Sequence, residues 1–179
     1  MKRLKARKDI GFFLNEKGLT GFGVEVGTFE GAFSKHLLET WKGSLYVVDV
    51  WDKIEGNPFH DFSGFTEQDM RRKAVVTIEK LCQFPGRYVL MCVGSPRAAS
   101  HFPDEFFDFV YIDASHFYKA VRADLQAWWP KLKPGGLFAG HDYIMDDVRM
   151  AVDEFAVQVN REARLTEDHV ETISWWFLK

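Results

Sequence analysis

A chain of 179 residues, 46% of them hydrophobic, is large enough for one α/β domain with a substantial core and too short for two ordinary ones. Residues 1–179 are therefore expected to form one domain. A formal charge of -3 and a pI of about 6.1 give no electrostatic case for nucleic acid as a partner.

The chain opens on a basic run, Lys2, Arg3, Lys5, Arg7 and Lys8, within a helix predicted over 2–17 whose apolar positions are Leu4, Ile10, Phe13 and Leu14. The run reads as the solvated face of that helix. Its apolar patch stops at Asn15-Glu16-Lys17, short of a secretory signal or a membrane span, so no membrane partner is expected. Gly23 to Val26 reads as a short strand, and a helix follows from about Glu30 to Trp41. Leu45 to Val50 is a continuous apolar run, as in a strand covered on both faces. A loop with Gly56, Asn57 and Pro58, carrying His60 and Asp61, leads to a helix near 64–83.

The alternation then continues: strand 88–93, short helix 96–102, strand 107–112, helix 117–132, strand 136–140 and helix 146–159. Trp128 and Trp129 have the spacing of core residues. Two strand candidates near 162–167 and 172–178 close the chain. Strands alternating with helices predict a doubly wound, mostly parallel sheet, and the closing pair predicts an antiparallel hairpin at one edge. Cys82 and Cys92 have no metal-ligand spacing. They are expected to be buried small hydrophobes, a usage that suits a cytoplasmic protein.

Ligands of such sheets sit beyond the carboxyl ends of the strands. The first strand ends in Glu25-Val26-Gly27-Thr28-Phe29-Glu30-Gly31, which is not the G-x-G-x-x-G register of a dinucleotide site. Glu25 puts a carboxylate where phosphates would approach, which favours a ligand bearing cationic groups. Asp49 stands 22 residues beyond Gly27, where ribose hydroxyls are held in this architecture. The pair predicts an adenosine ligand without phosphates, of which S-adenosylmethionine (SAM) is the commonest.

The stretch Gly23 to Gly31 resembles the E-x-G-x-x-x-G motif of class I SAM-dependent methyltransferases. Residues 107–143, FDFVYIDASHFYKAVRADLQAWWPKLKPGGLFAGHDY, resemble the small members of that class related to macrocin, rhamnosyl and, more distantly, catechol O-methyltransferases. The resemblance implies a Rossmann-like class I methyltransferase fold, with which the edge hairpin agrees. It also implies SAM as cofactor and a hydroxyl of a small molecule, such as a sugar or natural product, as acceptor. Candidate cofactor residues are Glu25, Gly27, Thr28, Phe29, Gly31, Asp49, Trp51, Ser95 and Asp113. Ser95 either meets the adenine end or caps the helix before Pro96, and Trp51 either covers the adenosine or packs.

Asp113 and Asp142 each follow an apolar strand. If those strands are neighbours, about 4.8 Å apart, the carboxylates converge. Two carboxylates in a dry site need a shared proton or a cation between them. A divalent ion such as Mg²⁺ or Mn²⁺ is the expected one, and in related metal-dependent enzymes these positions bind it. Those enzymes carry an acid or amide where this chain has His141. Imidazole is less natural for Mg²⁺ and better suited to Mn²⁺, Fe²⁺ or Zn²⁺. His116 stands three residues after Asp113, where the sugar-modifying relatives also have a histidine, and the resemblance makes it the general base. An imidazole of pKa ~6.5 can accept a proton at neutral pH. Two other readings stand beside this one: a metal-free methyltransferase acting on an amine, and a non-catalytic SAM-binding domain. Without a long insertion, substrate walls are left to residues 1–20, the 51–65 loop or a second subunit.

Overall fold

Alternation at a period of two fixes the centre of the molecule. In β1 (Phe22–Val26), Val24 and Val26 point to one face of the sheet and Glu25 to the other; in β4 (Phe107–Ile112), Val110 and Ile112 share the first face and Phe109 and Tyr111 the second. All six residues of β4 are buried, as a strand covered on both faces requires. The computed structural model describes residues 4–52, 65–167 and 173–179.

With β2 (Ser44–Asp49), β3 (Tyr88–Cys92), β5 (Leu132–Gly140), β6 (Arg164–Leu165) and β7 (Trp175–Leu178), these strands form one sheet in the order β3-β2-β1-β4-β5-β7-β6. The first five are parallel, and β7 pairs antiparallel with both β5 and β6. The order reverses between β1 and β4, which makes their carboxyl ends the switch point.

Each face carries its own core. On one side α4 (Ser95–Ala99), α5 (Tyr118–Trp128) and α6 (Asp146–Gln158) pack Val121, Leu125, Trp128, Val152 and Phe155 onto Val24, Val110 and Phe138. On the other, α1 (Ile10–Glu16), α2 (Ala32–Thr40) and α3 (Glu67–Leu81) bring Ile10, Phe13, Leu14, Leu37 and Leu81 onto Val47, Tyr111 and Trp176. α3 begins at a reciprocal cap: Thr66 accepts from the Asp69 amide and the Asp69 carboxylate accepts from that of Thr66. No described helix is long and apolar enough to cross a membrane.

Three expectations change. The helix predicted over 2–17 is confined to Ile10–Glu16, preceded by a 3₁₀ turn at Arg7–Asp9, and Leu4 is buried without being helical. Cys82 and Cys92 are exposed, not buried. Cys82 caps the end of α3, and Cys92 ends β3, which among the described residues is an edge strand with β2 as its one neighbour. Ser95 is the first residue of α4 with Gly94 as its cap, so the serine itself caps nothing.

Candidate active site

The turn after β1 is built from left-handed residues: Gly27 (φ 84°), Phe29 (φ 53°) and Gly31 (φ 69°). A Cβ on Gly27 would lie 2.1 Å from the Asp113 carbonyl oxygen and 2.5 Å from the Ala114 Cα, so glycine lets the chain leaving β1 cross that leaving β4. The amides of Thr28 and Phe29 both donate to Asp49 Oδ2 at 2.8 Å, and the Trp51 amide donates to Oδ1 at 3.0 Å. In a nucleotide-binding turn such amides receive a phosphate; here the protein's own carboxylate takes them. A carboxylate has about four acceptor sites, so Asp49 keeps capacity for a ribose hydroxyl.

Glu25 is 1% exposed. It accepts from Thr28 Oγ1 at 2.8 Å and from Ser34 Oγ. Burial pushes its carboxyl up to about 7, against the pull of Ser34, Arg7 and Thr28. Arg7 reaches this point from the N-terminal 3₁₀ turn. Its Nη2 donates to Asp113 Oδ2 at 2.5 Å and lies 4.0 Å from Glu25 Oε1, with the guanidinium 4.1 Å above the Phe33 ring and 5.0 Å from that of Tyr111. Arg7 is thus no part of a solvated face, and sequence reasoning missed it.

Beside it, β4 and β5 run as neighbours and deliver Asp113 and His141-Asp142 to the same end of the sheet. His141 Nδ1 lies 2.9 Å from Asp142 Oδ1 and 3.8 Å from Asp113 Oδ1. His116 Nε2 lies 2.8 Å from Asp142 Oδ2. Burial works to raise the Asp142 carboxyl, but His116 and His141 outweigh it and hold it well below its ordinary range. Burial raises that of Asp113, with Arg7 and His141 opposing. Asp142 takes a left-handed backbone (φ 56°), a strain that concentrates at functional sites.

The structure thus brings together Glu25, Gly27, Thr28, Asp49, Asp113, His116, His141 and Asp142. Two other candidates stand differently. Trp51 is 5% exposed, packs in the core, and donates from Nε1 to the Phe29 carbonyl at 2.8 Å. The Ser95 hydroxyl turns inward, donating to Asp124 Oδ1 and accepting from Trp128 Nε1 at 2.9 Å. Its neighbours Gly94 and Pro96 line a cleft of about 530 Å³ with Val50, Asp52 and Val93, beyond the carboxyl ends of β2 and β3. Trp128 is core as expected. His60 and Asp61 lie outside the described residues.

Comparisons with known proteins agree with this fold. A family profile described as a methyltransferase domain matches residues 24–143. The uncharacterized protein y4gI of Sinorhizobium fredii is 26% identical over 97 residues, 54% of this chain and 10% of that protein, so the chain spans a small part of that relative. Among solved structures, a Staphylococcus aureus protein assigned as a caffeoyl-CoA O-methyltransferase superposes with a TM-score of 0.70 at 13% identity, covering 100% of this chain and 85% of that one. The O-methyltransferase NovP gives 0.66 at 15% identity over 97% and 77% of the two chains. An O-methyltransferase from Bacillus cereus in complex with S-adenosylhomocysteine (SAH) gives 0.65 at 14% identity over 97% and 80%. The chain belongs to the methyltransferase domain family and has the class I, SAM-dependent methyltransferase fold.

Proposed function

We propose that this chain transfers a methyl group from SAM to a hydroxyl of a small molecule, with a divalent cation at Asp113, His141 and Asp142 and with His116 as base. The cofactor reading rests on the donor set. Asp49 fills the amides that a phosphate would need, and Glu25 and Asp113 flank a guanidinium, so this end of the sheet suits positive charge and excludes a pyrophosphate. The O-methyltransferases of similar fold support the hydroxyl as acceptor group.

One observation carries the cation reading: each acid divides its oxygens. Oδ1 of Asp113 and Oδ1 of Asp142 turn toward His141 Nδ1, at 3.8 and 2.9 Å, and the three residues can each bring one ligand atom within 4.8 Å of the others. The Oδ2 atoms face outward, Asp113 to Arg7 and Asp142 to His116. Two carboxylate oxygens and one imidazole nitrogen fit Mn²⁺, Fe²⁺ or Zn²⁺ better than Mg²⁺. Such an ion, when bound, lowers the pKa of an acceptor hydroxyl. Outer partners of this kind orient ligands and tune them.

His116 then has a defined task. In the tautomer that donates from Nε2 to Asp142, its basic lone pair is on Nδ1. That atom takes the hydroxyl proton while the oxygen–carbon bond forms and the carbon–sulfur bond breaks, its electron pair leaving on sulfur. Asp142, held ionised, stabilises the imidazolium that results. Phe117, Ile144 and Met145, each roughly two-fifths exposed and close in sequence to His116 and Asp142, offer the acceptor an apolar wall. Arg7 beside Asp113 favours a second, metal-free reading, because that acid already has a cation.

The test is transfer of labelled methyl from SAM to a panel of catechols and hydroxylated sugars. Native protein is expected to turn over, to stop in excess chelator and to recover with Mn²⁺. His116→Ala is expected to lower kcat by about 10²–10⁴ with SAH affinity unchanged. Full turnover in chelator refutes the cation, near-native turnover of the variant refutes the base, and absence of SAM and SAH binding by calorimetry refutes the whole reading.

A further inference from the structure

We propose that Arg7 is a cofactor ligand, its guanidinium receiving the α-carboxylate of the amino-acid end of SAM while Glu25 and Asp113 receive the ammonium. The inference rests on the reading of SAM as cofactor. The amino-acid end of that molecule is a zwitterion, and a zwitterion is held well only where both charges are met. Two carboxylates, Glu25 and Asp113, stand at the switch point for the ammonium. Alone they would repel the ligand's own carboxylate, which needs a cation on the same side of the sheet. Among the described residues, Arg7 is the cation recorded against both acids, at 4.0 Å from Glu25 Oε1 and 2.5 Å from Asp113 Oδ2. Lys73 and Lys80 are both directed to Glu30 instead.

The geometry of Arg7 is that of a fixed recognition group. Three residues before it Leu4 is buried, and three residues after it Ile10 is buried, so the backbone on both sides is anchored in the core. Phe33 and Tyr111, 4.6 Å apart, lie under the guanidinium and set its plane. The side chain is nevertheless 25% exposed, so part of it is open to a ligand. A planar fork held in this way suits a carboxylate, which it can meet with parallel N–H donors. The contrary arrangement is a latch, in which Arg7 occupies the ammonium's place and must swing out before SAM enters. The stacking of its guanidinium on Phe33 and Tyr111 opposes that motion.

The two arrangements predict opposite signs. The probes are SAH and its decarboxylated analogue, which keeps the adenosine, the thioether and the ammonium but lacks the carboxylate. Calorimetry on native protein, Arg7→Ala and Arg7→Lys, each checked for folding by its thermal melt, reads the result. Arg7→Ala is expected to weaken SAH by about 10–100-fold, the scale of a lost charge-assisted hydrogen bond, and to leave the decarboxylated analogue within about twofold. Arg7→Lys, keeping the charge without the fork, is expected to fall between the two. Equal weakening of both ligands would mean that Arg7 merely supports the fold, and tighter SAH binding by Arg7→Ala would mean a latch. Either overturns the proposal. Native protein that binds neither ligand would refute SAM as cofactor, a failure visible without any variant.

Discussion

Asp124→Asn tests how α5 holds the start of α4 through Ser95. Asp124 lies on the inner side of α5, 3% exposed, accepting from the Ser95 hydroxyl, and burial raises its carboxyl from an ordinary 3.8 to about 7. The unfolded chain ionises this group near 3.8, whereas the folded chain keeps its proton up to about 7. Between those values unfolding releases a proton, so the contribution of Asp124 to stability is complete below pH 4, falls as pH rises, and levels off above pH 7. At 1.36 kcal/mol per pKa unit the whole window amounts to about 4 kcal/mol, an upper bound. Relaxation around the ionised group and water entry reduce it to about 2 kcal/mol. Asparagine keeps an acceptor for Ser95 and cannot ionise. Urea midpoints of the two proteins should therefore diverge with pH, Asp124→Asn gaining about 1–2 kcal/mol on native between pH 5 and pH 8. Taking the difference removes Glu25, which is also raised to about 7 and gives both proteins a slope of the same sign. Native and variant curves that stay parallel across this range would refute a buried neutral Asp124.

Two further substitutions address the turn after β1. Gly27→Ala combines a left-handed backbone with a Cβ 2.1 Å from the Asp113 carbonyl, so it should cost about 3 kcal/mol or more and lower Tm by roughly 6–12 °C in a protein of this size, with loss of SAH binding. A melt within about 2 °C of native would show that the strands separate there at little cost. Asp49→Ala leaves the Thr28 and Phe29 amides without their acceptor as well as removing the carboxylate proposed to hold the ribose. SAH affinity should fall by about 10–100-fold, read by calorimetry, and an unchanged affinity would remove Asp49 from the site.

What was legible in the sequence was local. Apolar runs of strand length mark β2 and β4, and the residues that end strands follow directly, so Glu25, Asp49, Asp113 and Asp142 could be named without coordinates. Strand order is a property of the whole sheet. The apolar run 88–93 looks like its neighbours yet forms an edge, and Cys92 is exposed in consequence. Arg7 was illegible for the same reason. It sits in a run of five basic residues and meets Asp113, 106 positions away, only because α1 docks on the Tyr111 face of the sheet. Ser95 shows the limit of local signals: a serine before proline suggests a cap, whereas Gly94 caps the helix and the Ser95 hydroxyl is drawn inward by Asp124.

Asp49 shows how one residue decides the ligand class twice. Sequence spacing assigns it to ribose, as in any adenosine-binding sheet, and that assignment alone does not separate SAM from a dinucleotide. The separation comes from the two amides it already holds. To bind there, a pyrophosphate would have to displace a carboxylate tethered in the same chain, whose local concentration exceeds that of any free anion. It would then compete with Glu25 and Asp113 for the Arg7 guanidinium, which these two carboxyl groups already flank. A ligand that brings a sulfonium and an ammonium meets neither obstacle, since the turn stays closed by Asp49 and the ligand's positive charge faces Glu25 and Asp113. The same intramolecular pairing that shapes the turn therefore excludes the nucleotide cofactors to which this architecture is otherwise suited.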